Sequence, residues 1–207
     1  MEKFTRIAAP ACPLRAENID TDQILPARYL KLPRNGEHGK VLFHDLRFDA
    51  GGNERAEFPL NRAPWRAAKI IVAGRNFGGG SSREAAVYAL YDYGIRCAVA
   101  PSFGDIFSQN ATKNGLLTAT LSEAETSSLL LALEREPTSI VTVDLVSQSI
   151  TCGELKFQFV MDQSRRDRLL NGWDDFDVTN SFRKEIADFK NADRKRRPWA
   201  VPCRRGI

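Results

Sequence analysis

The sequence predicts an α/β fold built on a mixed sheet, and three observations carry that prediction. Ala68 to Ala73 is an apolar run that ends in a glycine-rich turn, Gly74-Arg75-Asn76-Phe77-Gly78-Gly79-Gly80-Ser81-Ser82-Arg83-Glu84. A helical pattern follows, with Ala86, Ala89, Leu90 and Tyr93 on one face, before a second apolar run from Ile95 to Ala100. Two apolar strands joined by a helix make a βαβ unit, so they should be parallel neighbours. Further on, Ile140 to Val146, Ser149 to Cys152 and Leu155 to Val160 read as antiparallel strands, with a turn at Cys152-Gly153-Glu154.

Taken in order, residues 1–19 suggest a short entering strand with turn signals at Pro10 and Pro13. Asp20 and Asp22 then flank Thr21 ahead of Gln23-Ile24-Leu25-Pro26. Either they form a turn in which Asp side chains accept from nearby backbone N–H groups, or they are carboxylates at the rim of a site. Residues 31–64 are irregular, interrupted by Pro33, Asn35-Gly36, Gly39, Gly51-Gly52-Asn53, Pro59 and Pro64. Loops of that length are often functional. The two histidines lie here, at no spacing that suggests a metal: His38 reads as an exposed loop residue and His44 as a local hydrogen-bonder.

The first long helix should run from about Ser82 to Tyr93, ended by Gly94, and Pro101 stops the strand after it. A second helix covers Asp105 to Lys113, closed by Asn114-Gly115. Ser122 with Glu125 is a capping-box start that leads into Leu129, Leu130 and Leu133. Asp162 to Leu170 and Thr179 to Phe189 read as terminal helices separated by Gly172.

With 207 residues, 43% of them hydrophobic, the chain can bury one sizeable core. The reading is a single domain over 1–207, with its core over about 14–160 and C-terminal helices and a basic tail over 161–207. Much of the net charge of +4 comes from Arg194-Lys195-Arg196-Arg197 and Arg204-Arg205. Elsewhere the charges are mixed, which makes no case for nucleic acid. Cys12, Cys97, Cys152 and Cys203 are scattered, with no CxxC pair and no histidine at ligand spacing, so no metal site is expected. Cys97 reads as a buried small residue. No run approaches the ~20 apolar residues of a membrane span, and cytoplasm is the default compartment.

Chemistry points to the glycine-rich turn, because free amide groups at a helix start make a ready anion site. The turn is not a nucleoside-triphosphate P-loop, since Arg83 follows the serines. It fits neither the dinucleotide GxGxxG pattern nor the GxSxG nucleophile elbow. A capping box between Ser81 and Glu84 would account for those two residues. It would leave unexplained three successive glycines and a cation, Arg83, at the helix end that favours anions. An anionic ligand at the helix start accounts for both. Arg83 can grip a carboxylate bidentately, and amides freed by the glycines stabilise developing negative charge.

Several motifs together tie the chain to a family. Asp20-Thr21-Asp22-Gln23-Ile24-Leu25-Pro26-Ala27, the segment from Asn76 to Glu84, Asp92-Tyr93-Gly94, the segment from Ala100 to Phe107, and Lys113-Asn114-Gly115-Leu116-Leu117 resemble the small subunits of 3-isopropylmalate dehydratase. The same pattern occurs in the C-terminal swivel domain of aconitase, and the resemblance covers roughly residues 14–200. It implies a swivelling β/β/α domain that is active only with a large subunit, as a heterodimer or heterotetramer. The [4Fe–4S] cluster would sit on that large subunit, with no cofactor in this chain. The implied hydro-lyase reaction removes water from 2-isopropylmalate and returns it at the neighbouring carbon, in leucine biosynthesis. The resemblance makes Ser81 the base that takes the carbon-bound proton, gives Asp22 a role at the departing hydroxyl, and has Arg83 hold a substrate carboxylate. Ser82, Gly79 and Gly80 complete the substrate-binding loop, and Tyr29, Leu30 and Leu32 would face the branched alkyl group. Arg34 and Lys31 leave open a further carboxylate there. Ala85 stands where the family commonly has His, and Gln23 where aconitase has His. These departures keep two alternatives in view: a sister enzyme for another hydroxy-diacid, of the methylmalate or homoaconitate type, and a non-catalytic anion-binding module.

Overall fold

In a computed structural model that describes residues 1–200, the chain runs β1 (Arg6–Leu14), α1 (Thr21–Ile24), α2 (His44–Arg47), β2 (Ile70–Ala73), α3 (Glu84–Tyr93), β3 (Cys97–Ala100), α4 (Asp105–Lys113), β4 (Leu117–Thr120), α5 (Glu123–Arg135), β5 (Ile140–Asp144), β6 (Ser149–Cys152), β7 (Leu155–Gln158), α6 (Gln163–Asn171), α7 (Asp175–Ser181) and α8 (Arg183–Arg196). The strands make one seven-stranded sheet of order β4-β3-β2-β1-β5-β6-β7. Strand β1 divides its length between two kinds of pairing. Its residues Ala11 to Leu14 run parallel to Ile70 to Ala73, whereas Arg6 to Pro10 run antiparallel to Ile140 to Asp144. β2, β3 and β4 extend the parallel side, and β5, β6 and β7 the antiparallel side. The predicted mixed sheet, its parallel βαβ unit and the three late antiparallel strands are all present.

Every residue of β2 and β3 is buried, as befits parallel strands covered on both faces. Alternation along each strand divides them between two cores. Ile71, Ala73, Ala98 and Ala100 meet Ala86, Leu90 and Phe107 from α3 and α4. Ile70, Val72, Cys97 and Val99 meet Leu129, Leu130 and Leu133 from α5, together with Val141, Val143 and Ile150 from the antiparallel side. Helix α5 begins where its capping box predicts, with Glu125 N–H donating to Ser122 Oγ at 3.3 Å and Ser122 N–H to Glu125 Oε2 at 2.9 Å. That cap contributes ~1 kcal/mol. Each fully buried leucine contributes about 1.5–3 kcal/mol, so packing places the helix and the cap only sets its start.

Two expectations are corrected here, and one strand is added. Four residues are too few for periodicity to declare β4, and pairing with β3 makes it a strand. The helix expected from Thr179 to Phe189 is two helices, because a capping box of Asp174 with Asp177 starts α7 early and α8 then runs to Arg196. Helix α3 starts at Glu84, later than Ser82. Met1 to Gly172 form one compact unit, and the described residues from Trp173 to Ala200 belong to another. Neither α7 nor α8 contains a buried residue. Cys203 and Arg204-Arg205 lie outside the described residues. Among the described residues, no helix is long and apolar enough to cross a membrane.

Candidate active site

The parallel strands β1, β2 and β3 end at one edge of the sheet, and the loops that leave them continue side by side. Gly74 N–H donates to Ala16 O at 3.2 Å, Asn18 N–H to Arg75 O at 2.9 Å, Gly78 N–H to Ile19 O at 2.7 Å and Thr21 N–H to Gly79 O at 3.0 Å. On the other side Phe77 N–H donates to Ser102 O and Gly104 N–H to Phe77 O, both at 3.0 Å. The glycine-rich loop is thus the middle of three hydrogen-bonded segments. That position explains glycines that an anion site alone did not require. At Gly78, with φ +72°, a Cβ would lie 2.3 Å from the Phe107 ring, and at Gly104 it would lie 2.4 Å from Gly78 O. Gly79 is closed in by the Asn76 side chain, 2.8 Å from where its Cβ would be. Gly80, at φ +87°, is free of such crowding and carries the chain out to the surface.

Ser81 and Ser82 follow, both exposed. The Ser81 carbonyl is held by Thr21 Oγ1 at 2.8 Å, whereas neither serine hydroxyl finds a partner among the described residues. The capping box expected between Ser81 and Glu84 does not form. The chain stays extended through Arg83 (φ −125°, ψ 95°), which is the N-cap residue and offers no side-chain cap. Ser81 is therefore too far ahead of the helix to cap it. Glu84 instead accepts from Asn114 Nδ2 at 2.8 Å. The first amides of α3 are left without a capping side chain.

Arg83 Nη1 forms an ion pair with Asp22 Oδ1, across side chains that are 17% and 52% exposed. A guanidinium carries five N–H donors, more than one carboxylate can take, so the pair leaves donor capacity at the rim. The guanidinium, with smaller help from the Ala27 N–H at 3.1 Å, holds the Asp22 carboxyl below the usual carboxylate range. Asp20 takes the local role open to both aspartates, capping α1 through Gln23 N–H at 2.7 Å. Gln23 returns the bond, its Oε1 accepting from Asp20 N–H at 3.0 Å.

The structure therefore gathers Asp22, Gly79, Gly80, Ser81, Ser82 and Arg83 on one edge. It does not bring the proposed alkyl-facing residues into the neighbouring cavity. That cavity, of about 410 Å³, is lined by Asp22, Pro26, Arg28 and Asp45 among others, and by none of Tyr29, Leu30 and Leu32. Tyr29 is half-buried with its ring 5.0 Å from His44, Leu32 is half-buried, and Leu30 is exposed. His44 is the local hydrogen-bonder expected, 3.1 Å from Arg28 Nη2. His38 is not the exposed loop residue expected. It is 2% exposed, with Nδ1 3.6 Å from Asp92 Oδ2, because Gly39 lets its segment press onto the backbone of Asp92 and Tyr93.

Among the described residues no three of His, Cys, Asp and Glu stand together as a ligand set. Burial raises the Cys12 and Cys97 thiols far above their ordinary value, away from the thiolate form that binds metal. These residues do not fit an iron–sulfur cluster.

Residues 1–124 match the aconitase C-terminal domain family. The chain belongs to that family. Among its relatives is the 3-isopropylmalate dehydratase small subunit of Rhodospirillum centenum, 47% identical over 203 residues, which cover 97% of this chain and all of that one. The protein of the same description from Paramagnetospirillum magneticum is 44% identical over 202 residues, 96% of this chain and all of that one. The crystal structure of 3-isopropylmalate dehydratase from Methanocaldococcus jannaschii superposes with a TM-score of 0.64 at 26% identity, covering 89% of this chain and 99% of that one. Within this member of the aconitase C-terminal domain family, two positioning residues escaped the sequence reading. Thr21 holds Ser81, and Asn114 holds Glu84. Both stood inside quoted motifs, but only the fold shows what they reach.

Proposed function

We propose that this chain is the small subunit of a 3-isopropylmalate dehydratase, a hydro-lyase of leucine biosynthesis that works in the cytoplasm with a large subunit, as a heterodimer or heterotetramer. The observation that carries the reading is the rim itself: an unpartnered Ser81 hydroxyl beside the Arg83–Asp22 pair at the uncapped start of α3. In this reading a substrate carboxylate shares or takes over the Arg83 guanidinium, whose five N–H donors exceed what Asp22 can accept. Ser81 Oγ takes the proton from the carbon that becomes part of the double bond. The hydroxyl on the adjacent carbon leaves as water, and addition of water in the opposite sense gives the isomer.

A serine is a weak base unless its alkoxide is stabilised. The Arg83 cation, two residues on in the same loop, is the group placed to do so. Asp22, kept ionised at neutral pH by Arg83, can carry the proton that Ser81 gives up in becoming an alkoxide to the departing hydroxyl, which then leaves as water. Activation of that hydroxyl by a [4Fe–4S] cluster is assigned to the large subunit. One observation supports a second reading with a different hydroxy-diacid: Lys31 is exposed beside Leu30 and has no ion-pair partner among the described residues. It could meet a third carboxylate. The test is to assemble the chain with its large subunit and follow the change in alkene absorbance, a rise with isopropylmalate or methylmalate and a fall with homoaconitate. Fastest turnover of isopropylmalate is the expected result, and faster turnover of either other acid overturns the leucine assignment.

A further inference from the structure

The parallel strands also have an entry edge, at the opposite end from Ser81 and Arg83, and a cavity of about 410 Å³ opens there. Cations surround it. Arg6 opens β1, Lys69 immediately precedes β2, Arg96 immediately precedes β3, and Lys3 joins them from the N-terminal segment. Gly94 and Gly115, the glycines that follow α3 and α4, line the same cavity.

Carbonyl ends of helices attract cations, and that accounts for one of the four. Arg96 Nη1 donates to Tyr91 O at 2.8 Å and to Ile95 O at 3.1 Å, and its guanidinium carbon lies 3.7 Å over the Tyr91 ring. These contacts fix the guanidinium through one nitrogen and leave it donors to spare. Helix ends do not account for the rest. Lys3 and Lys69 are exposed, and among the described residues neither ammonium has a hydrogen bond or an ion pair. Arg6 is exposed as well, with Asp144 opposite it on β5. Against these four cations the lining holds one carboxylate, Glu2. It is 73% exposed, with Oε2 3.8 Å from Arg96 Nε and accepting from Tyr91 Oη at 3.4 Å. A pair so exposed is weak, so an anion of higher charge can displace Glu2 from it.

We propose that this cavity binds a small diphosphate anion, of which inorganic pyrophosphate is the simplest. A carboxylate brings one charge and two oxygens, too few for donors spread over Lys3, Arg6, Lys69 and Arg96. A diphosphate brings several of each, lysines and arginines are the side chains that bind it, and the fixed Arg96 fork gives it a defined seat. Recognition is of the anion alone. The one aromatic face at the rim, Tyr91, is already covered by Arg96 and has no room for a base.

The test is calorimetric titration of pyrophosphate into the full chain at an ionic strength of about 0.15 M, where unspecific charge attraction is screened. One pyrophosphate should bind per chain with a Kd at or below about 1 mM. Lys3→Gln and Lys69→Gln should each weaken it about tenfold, the usual worth of a charge-assisted hydrogen bond, at unchanged Tm of the free chain. Glu2→Gln should act in the opposite sense and tighten binding, because it removes the competing carboxylate. Two controls separate the site from the rest of the molecule: Lys156→Gln, an exposed cation on β7, and Arg83→Gln at the other edge should both stay within about twofold. ADP should bind no tighter than pyrophosphate. Absence of saturable binding overturns the proposal, as does a loss in Lys156→Gln equal to that in Lys69→Gln, which marks attraction to net charge alone. A loss confined to Arg83→Gln overturns it too, by moving the anion to the candidate active site. Tenfold tighter binding of ADP would replace the simple anion with a nucleotide.

Discussion

The two halves of the sheet share β1 but use their connections differently. On the antiparallel side, β5 joins β6 and β6 joins β7 through short turns such as Cys152-Gly153-Glu154-Leu155. On the parallel side each strand must return across the sheet before the next begins, so its connections carry helices and long loops. Every residue placed in the candidate site lies on those connections: Asp22 between β1 and β2, and Gly79 to Arg83 between β2 and β3. Parallel pairing forces long connections to leave from one edge, and that edge is where groups from distant parts of the chain can meet. The antiparallel side stabilises the same sheet and offers no such meeting point.

That comparison can be broken or sharpened by substitution. The largest effect is expected from Ser81→Ala on the parallel side. In the assembled enzyme it should lower kcat by ~10²–10⁴, the usual contribution of a general base. It should leave thermal unfolding unchanged, because the Ser81 side chain is exposed and unpartnered. Ile150→Ala on the antiparallel side should behave in the opposite way. The residue is fully buried in β6, and urea unfolding should show a loss of about 2–5 kcal/mol. The rate per folded molecule should stay that of the unchanged protein, and a large fall in that rate would contradict the division of labour.

Glycines allow a finer test. Alanine at Gly78 meets both a left-handed backbone (φ +72°) and the Phe107 ring 2.3 Å away. Its cost should be about 2–4 kcal/mol, against about 1 kcal/mol for Gly153→Ala, where strain acts alone. At Gly153 the φ is +54° and nothing lies within 4 Å of the added Cβ. Equal losses at the two positions would show that close packing of the loops is not what the glycine run supplies.

The smallest effect concerns acid. Arg83 lowers the Asp22 carboxyl, so the stability of that ion pair is fully present above the unfolded carboxylate pKa of about 3.9 and is lost as pH falls through the lower folded value. Asp22→Asn should therefore flatten the drop in Tm between about pH 5 and pH 2. The change should be slight, since Asp22 is 52% exposed. A steeper acid limb in the variant would reverse the assignment.

Much of this was legible in order along the chain. Apolar runs bounded by Gly94, Pro101 and Gly153 marked strands and helix ends, because glycine and proline act through local backbone geometry. Ser122 and Glu125 marked α5 for the same reason, since both partners of a capping box lie within one turn. The same local rule failed at Ser81 and Glu84. Thr21, sixty residues earlier, holds the Ser81 carbonyl, and Asn114, thirty residues later, takes Glu84 away from it. His38 failed similarly: its sequence neighbours are loop-like, and its burial comes from Asp92 on another element.

By itself the sequence determined the element types, the parallel unit, the family and the loop on which chemistry would fall. Tertiary structure alone decided which side chains share that edge: the Arg83–Asp22 pair, the free Ser81 hydroxyl, and the placement of Leu30 and Leu32 away from the cavity beside it. The physical reason is range. Backbone propensities and caps act over a few residues, whereas ion pairs, close glycine contacts and burial depend on which distant segments the sheet sets side by side.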